Sequence, residues 1–440
     1  MVQVPGSLVS PPPPQTPVIN QDSTIARSVS RAALGNLVEW FDWYTYSAMS
    51  LYLAPVFFPN DDPTVQLMNT AAVFALGFIV RPLGSWLLGS YADIKGRKAA
   101  LTLSVFMMCF GSLVIAVTPG YSTIGLAAPA LLLFARLLQG ISVGGEYGAS
   151  ATYITERAAR YRRGFFASFQ AVTGILGQLL AMAVLILLQF VFLTPDQLQA
   201  WGWRIPFGLG AVSAIVAFYL RRNLDETGSF VRVRDQALKS PLRELMRHPR
   251  ALLTVCGLTL GGTVAYYTYT AYAQKFLVNT AGFSNEKATA ISAATLFIYM
   301  LLQPLFGALS DRIGRRPLLI GFGVLGTLLT VPIMSALATT SNVYVAFGLI
   351  MVALVVVSGY TSINAVVKAE LFPTEVRALG VALPYAVTVS LFGGTAEYIA
   401  LRFKNAGHEE MFYWYVAGCV LISLVVFLVM PDTRSRDLDA

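Results

Sequence analysis

Twelve long stretches of this chain are nearly free of charge, near 30–55, 68–90, 100–118, 125–150, 164–193, 202–221, 251–279, 287–310, 317–337, 341–368, 378–402 and 409–430. Crossing the hydrocarbon core of a bilayer takes about 20 mainly apolar residues in a helix, and each stretch has that length. Lipid offers no water to exposed N–H and C=O groups, so spans of this kind must be helices that satisfy their own backbone. The predicted fold class is therefore all-α and integral to the membrane, with twelve transmembrane helices. Composition agrees, since 56% of the 440 residues are hydrophobic and only 12% are charged.

The spans come in two related sets. GSYADIKGRK (Gly89 to Lys98) lies between the second and third, and returns as GALSDRIGRR (Gly307 to Arg316) between the eighth and ninth. A second repeat runs beside it: Glu156 precedes Arg163 at the spacing at which Glu370 precedes Arg377. The chain thus divides into a Pro-rich disordered tail (1–29), an N-terminal six-helix bundle (30–221), a charged linker (222–250), a C-terminal six-helix bundle (251–430) and a short tail (431–440). Duplicated halves around a midplane cavity are the architecture of secondary transporters. Asp93 with Arg97, Glu156 with Arg163, Asp311 with Arg315 and Glu370 with Arg377 are read as gating charges that pair when one side closes. The alternative is that they only orient insertion.

A net charge of +8 would suit a nucleic-acid partner, but its placement excludes one. Arg27, Lys95, Arg97, Arg157, Arg162, the run from Arg221 to Arg250, Arg316 and Arg434 fall on one side of the topology, while the opposite loops hold little beyond Lys275, Lys287, Arg402 and Lys404. This positive-inside bias puts both termini in the cytoplasm. The first 24 residues lack the basic and apolar regions of a signal peptide. Cys109, Cys256 and Cys419 lie inside spans and read as buried free thiols, with no disulfide or metal pattern. His248 and His408 lie outside the spans, so proton chemistry within the membrane falls to carboxylates. No nucleophile–base set or phosphate loop appears. The chain reads as a non-enzyme without a cofactor, surrounded by lipid and working as a monomer.

GSYADIKGRK and GALSDRIGRR resemble the loop motif of the major facilitator superfamily. NLVEWFDWYTYS (Asn36 to Ser47), RPLG (Arg81 to Gly84), RLLQGISVGGEYG (Arg136 to Gly148) and WGWRIPF (Trp201 to Phe207) resemble its metabolite:proton symporter family. Within that family, YTAYAQKFLVNTAG (Tyr269 to Gly282), KAELFPTEVRALGV (Lys368 to Val381) and GGTAEYIAL (Gly393 to Leu401) are most similar to dicarboxylate carriers. The resemblance implies the major facilitator fold, a bacterial inner-membrane location, and proton-driven import of a small dicarboxylate, α-ketoglutarate first, by alternating access. Citrate, shikimate, an aromatic acid or an osmolyte are alternative substrates, and a metabolite sensor without net flux is an alternative class.

Charged side chains inside spans cost about 2.5–3.5 kcal/mol each at a helix centre, so each needs a reason. Glu39 and Asp42, three apart, share a helical face. Asp42 is deep enough to line a central cavity. Burial raises a carboxylate's proton affinity and a nearby arginine lowers it, which is what proton coupling needs. Arg136 is the expected partner because it keeps its charge inside the membrane; a permanent packing salt bridge is the alternative. Proton-coupled sugar carriers of the superfamily have an acid and an arginine at the matching places, which supports the pair by resemblance. Glu146 either joins the proton path or pairs with an arginine. Arg81, before Pro82, offers a bidentate fork to a substrate carboxylate, or else pairs with Glu39 or Asp42. Lys275 and Lys368 stand at opposite ends of the C-terminal half and are candidates to attract substrate, with snorkelling the alternative for Lys368. Glu397 is matched with Lys275 as an outer gate.

Among uncharged residues, Gln139 shares the face of Arg136, and Gln170 and Gln178 lie two turns apart on the fifth span. The resemblance sets Gln178 at a sugar-contacting glutamine. Tyr266, Tyr269 and Tyr272 are spaced to send their hydroxyls to one side, so Tyr269 and Tyr272 are expected to donate hydrogen bonds to substrate. Gly140, Gly144 and Gly148 form a small-residue stripe suited to close helix contact.

Overall fold

The computed structural model describes residues 21–95, 97–144, 155, 160–222, 241–373 and 376–434. Among these, all regular structure is helical. The long helices are α1 (Gln21–Phe57), α2 (Pro63–Ile79, continued as Arg81–Lys95), α3 (Arg97–Val117), α4 (Ala127–Val143), α5 (Arg163–Phe192), α6 (Arg204–Arg222), α7 (Pro249–Asn279), α8 (Asn285–Ile313), α9 (Arg315–Thr339), α10 (Val343–Glu370), α11 (Arg377–Asn405) and α12 (Glu410–Val429). Each falls on one of the predicted spans. Helix α1 begins earlier than the expected tail boundary, since no proline interrupts the chain between Pro17 and Pro55.

The exterior is apolar: Trp86, Phe106, Leu253, Leu328 and Trp414 are between 61% and 71% exposed. An apolar outer surface of this extent is favourable only against lipid. Inside, one core gathers Trp43, Phe57, Phe74, Phe78, Trp203 and Phe207, and a second gathers Tyr272, Phe276, Tyr299, Phe322 and Phe427. Each core also takes in a few residues from the other half, such as Tyr267 and Val389 in the first and Ala167 and Ile175 in the second.

Two helix irregularities hold the halves together. Pro82 has no N–H for the carbonyl of Phe78, four residues back, and the regular helix is interrupted at Val80. That carbonyl instead accepts the Ser390 hydroxyl of α11 at 2.6 Å. Helix α7 has a π-helical turn at Thr268–Tyr272, where the Thr270 carbonyl accepts Gln178 Nε2 of α5 at 2.9 Å. Such turns interrupt regular helix bonding and leave backbone groups for other partners. The glycine stripe is where α4 meets α2: a Cβ on Gly140 would lie 2.0 Å from the Gly77 carbonyl oxygen, and one on Gly144 2.2 Å from that of Arg81. In the second copy of the repeated hairpin, Gly314 turns the chain between α8 and α9 at a φ of 100°, which favours glycine.

Candidate functional site: a cavity between the halves and a separate carboxylate cluster

Two adjoining pockets lie where the halves meet. One, of about 590 Å³, is lined by Trp40 and Tyr44 of α1, Gln170 of α5, Tyr266 and Tyr267 of α7, Tyr360 and Asn364 of α10, and Tyr385 of α11. The other, of about 550 Å³, shares Trp40, Gln170 and Tyr385 and adds Glu39, Arg81 and Val389.

Each half brings one buried cation to this region. Arg81, the first residue after the interruption of α2, is 5% exposed. Its guanidinium carbon is 4.1 Å from the Trp43 ring centroid and 3.9 Å from that of Phe78. Its Nε and Nη2 have no hydrogen-bond partner. Buried polar donors left unpaired are costly, so N–H groups beside a cavity favour an anionic occupant that can take two of them at once. From the other half, Lys368 Nζ lies 3.0 Å from Asn364 Oδ1 and 3.8 Å from the Tyr385 ring centroid. Tyr385 borders both pockets, next to both cations. Across the cavity, the Tyr44 and Tyr266 hydroxyls are 3.1 Å apart.

Asp42 does not line this cavity, contrary to expectation. Residues three apart point about 60° from each other on a helix; Glu39 lies on the side of α1 that borders the cavity, and the packing of α3 and α4 takes Asp42 into the N-terminal bundle. It is 1% exposed. Its carboxylate accepts the Ser112 hydroxyl of α3 and, at 3.0 Å, Gln139 Nε2 of α4. Gln139 also donates to Ser112 Oγ at 2.8 Å and accepts from Arg136 Nη1 at 2.7 Å. The expected Asp42–Arg136 ion pair is thus replaced by a carboxamide bridge. Gln139 and Arg136 are fully buried in this cluster and border neither pocket, so the structure does not bring them to the candidate substrate region.

Tyr269 and Tyr272 also turn away from the cavity. The π-helical turn shifts the helical phase between them and Tyr266. Tyr269 donates to Thr330 Oγ1 of α9 at 3.3 Å, and Tyr272 packs edge-on to Phe276 and Phe412. Tyr266 and Tyr267 face the cavity in their place. Of the two glutamines on α5, Gln170 lines both pockets and Gln178 is the bond to α7 described above.

Charged side chains bridge the two halves at both ends of the interface. At the basic end, the Asp311 carboxylate of α8 accepts the backbone N–H groups of Gly164 at 2.8 Å and Phe165 at 2.9 Å, at the start of α5 in the other half. Arg315 Nη1 holds Asp311 at 2.7 Å, and Arg315 Nη2 is 3.5 Å from Glu370, which accepts the Thr433 hydroxyl at 2.6 Å. Arg163 is buried near this group, and Arg377 donates to the Phe372 carbonyl at 3.3 Å. At the far end, Lys275 Nζ is 3.0 Å from Glu397 Oε2 and 2.7 Å from Ser47 Oγ of α1. Glu146 and Glu156 lie outside the described residues, as do the side chains of Asp93 and Arg97.

Several residues at these places carry little signal in the sequence. Ser112, Ser390 and Thr433 are short hydroxyl side chains in an apolar or charged context. Trp43 and Tyr385 stand among many aromatic residues in a chain that is 12% aromatic. For Trp43 the available signal was its place beside Asp42 in NLVEWFDWYTYS.

The sugar (and other) transporter family matches residues 29–241 and 232–440. The alpha-ketoglutarate permease of Escherichia coli (strain K12) is 56% identical over 400 residues, 90% of this chain and 91% of that protein. The citrate-proton symporter of Salmonella typhi is 32% identical over 96% of this chain and 97% of its own length, and the proline/betaine transporter of Salmonella typhimurium is 31% identical over 96% and 86%. Among solved structures, a D-xylose-proton symporter superposes with a TM-score of 0.76 at 20% identity, covering 93% of this chain and 98% of that one, which establishes the common fold. With twelve long helices among the described residues and a family match that spans both halves, the chain belongs to the sugar (and other) transporter family of the major facilitator superfamily.

Proposed function

We propose that this transporter imports a small dicarboxylate, α-ketoglutarate first, together with protons across the bacterial inner membrane. The observation that carries the reading is the pair of buried cations, Arg81 and Lys368, one from each half, in a chain 56% identical to an alpha-ketoglutarate permease. A dicarboxylate that meets both cations draws the two halves onto itself, whereas a monoanion satisfies one. Asp42 is the proton site in this reading. The Lys275–Glu397 pair serves as the outer gate, and the Asp311 cluster serves as the cytoplasmic gate. Binding shifts the population between outward and inward states according to the contacts each state offers the ligand.

The test is uptake of labelled α-ketoglutarate into proteoliposomes under an inward proton gradient, with and without a protonophore. Accumulation that collapses with the protonophore is the expected result. Absence of accumulation by correctly inserted protein rejects the substrate, and a panel of citrate, shikimate and betaine then identifies which relative it follows. Downhill flux unaffected by the protonophore rejects the coupling.

A further inference from the structure

The carboxylate cluster and the cavity are separate places, yet a short line of contacts joins them. Asp42 is bonded to Gln139, and Gln139 to Arg136. The Arg136 guanidinium carbon lies 4.0 Å from the Trp43 ring centroid, and the Arg81 guanidinium carbon lies 4.1 Å from the same centroid. One indole therefore serves two cations, one facing the carboxylate cluster and one bordering the cavity. Trp43 is fully buried, and its Nε1 has no hydrogen-bond partner, so ring contacts and packing set its place.

We propose that Gln139 and Trp43 are the positioning residues through which protonation of Asp42 alters the cavity cation Arg81. This rests on the reading of Asp42 as the proton site.

The chemistry of a carboxamide makes Gln139 a two-ended reader. Its Nε2 gives both N–H groups, one to Asp42 and one to Ser112, and its Oε1 takes Arg136. That orientation requires Asp42 to be an acceptor. A proton bound at Oδ2 turns this oxygen into a donor, and the only acceptor on Gln139 is Oε1. The amide then rotates to offer Oε1 to Asp42 and turns its NH₂ toward Arg136, which loses its one hydrogen bond from this side chain. No covalent bond changes besides proton binding. Arg136 has no hydrogen-bond partner at Nε or Nη2, so after the rotation it is held by the faces of Trp43 and of Tyr46, 4.6 Å away. Cation–π contacts strengthen when desolvated, and the balance of the two guanidinium groups on the Trp43 indole changes with Arg136. Arg81 responds at the cavity.

The space for this cluster is built into the neighbouring helices. A Cβ on Gly210 of α6 would lie 2.2 Å from Asp42 Oδ1, and one on Gly111 of α3 would lie 2.8 Å from Gln139 Cγ. Among the described residues, the titratable or charged groups facing Asp42 are Cys109 on α3 and Arg136 on α4, and on α6 Gly210 lies against its carboxylate.

Infrared difference spectroscopy of the protein in liposomes, with a pH jump and no substrate, reads each step. Wild type is expected to show a carboxylic-acid C=O band that Asp42→Asn lacks, together with changes in the guanidinium bands. In Gln139→Leu the carboxyl band stays and the guanidinium response is lost. In Trp43→Leu the part of that response that Arg81→Lys also removes is lost, while Trp43→Phe, which keeps a ring face, retains it. A guanidinium response that survives in Gln139→Leu overturns the bridge, and one that survives whole in Trp43→Leu overturns the relay. A wild-type spectrum without the Asp42 band overturns the proton-site reading itself. Should Gln139→Leu not insert, the Trp43 pair decides alone. The transport counterpart is the pH profile of KM for α-ketoglutarate counterflow, expected to flatten in Gln139→Leu and Trp43→Leu and to persist in Trp43→Phe.

Discussion

Replacing Asp311 by asparagine should open the basic end of the transporter. In the closed arrangement one carboxylate accepts two backbone N–H groups from α5 of the other half, at 2.8 and 2.9 Å, and the Arg315 guanidinium at 2.7 Å. Asparagine has a single acceptor oxygen. One helix N–H keeps its bond, while the other faces an NH₂ group and loses it. A hydrogen bond to a charged group contributes about 1.5–3 kcal/mol. Removing a negative charge from a helix N-terminus costs a further ~0.3–1 kcal/mol. The side chain is 8% exposed, so the variant also escapes part of the desolvation of a buried charge. The closed state should thus lose about 2–3 kcal/mol, roughly a 30- to 140-fold shift at about 1.4 kcal/mol per tenfold. Spin labels on Phe166→Cys at the start of α5 and Ile313→Cys at the end of α8, in a background without native cysteines, measure the separation by electron–electron resonance. The expected outcome is a longer distance population in Asp311→Asn that dominates without substrate. Identical distance distributions in parent and variant would refute the claim that this carboxylate holds the end shut.

Other consequences are open to direct measurement. Lys275→Met or Glu397→Gln alone leaves one partner of a buried pair (0% and 6% exposed) uncompensated, so each should cost about 3–5 kcal/mol, and joint replacement by apolar residues should recover most of it; thermal unfolding in detergent reports both. Arg81→Lys keeps the charge but removes the planar fork, so KM for a dicarboxylate should rise at least about tenfold while a monocarboxylate competitor is affected less. Asp42→Asn should abolish accumulation under a proton gradient and impair counterflow exchange less; equal loss of both would assign Asp42 a structural role. Gly307→Ala places a Cβ 2.5 Å from the Gly164 carbonyl oxygen, an overpacking worth about 1–3 kcal/mol, and should open the same end as Asp311→Asn in the spin-label measurement.

Much of the architecture was legible because the physics is local. A run of apolar residues crosses lipid as a helix whatever its neighbours are, so the spans, the repeat and the basic side follow from residue order. The acids and bases of the repeated hairpins could be named from the repeat alone. Their partners could not: residue spacing pairs Asp311 with Arg315 on its own hairpin, and the structure adds two backbone N–H groups from a helix far away in sequence. A backbone donor carries no side-chain signature. A spacing of three puts the tyrosines of α7 on one side of a regular helix, and the π-helical turn at Thr268–Tyr272 resets the phase.

Residue order by itself determined that this chain spans the membrane as two related helical halves, and which few charged side chains had to be buried within it. Only the tertiary structure decided what those charges face. Asp42 and Glu39 lie three apart, yet one enters a closed bundle and the other borders a cavity. Arg136 meets Asp42 through Gln139, and a proline-freed carbonyl on α2 is taken by a serine on α11. The physical reason is that burial cost depends on a residue's own chemistry, whereas its partner depends on which helices pack against it and with what rotation.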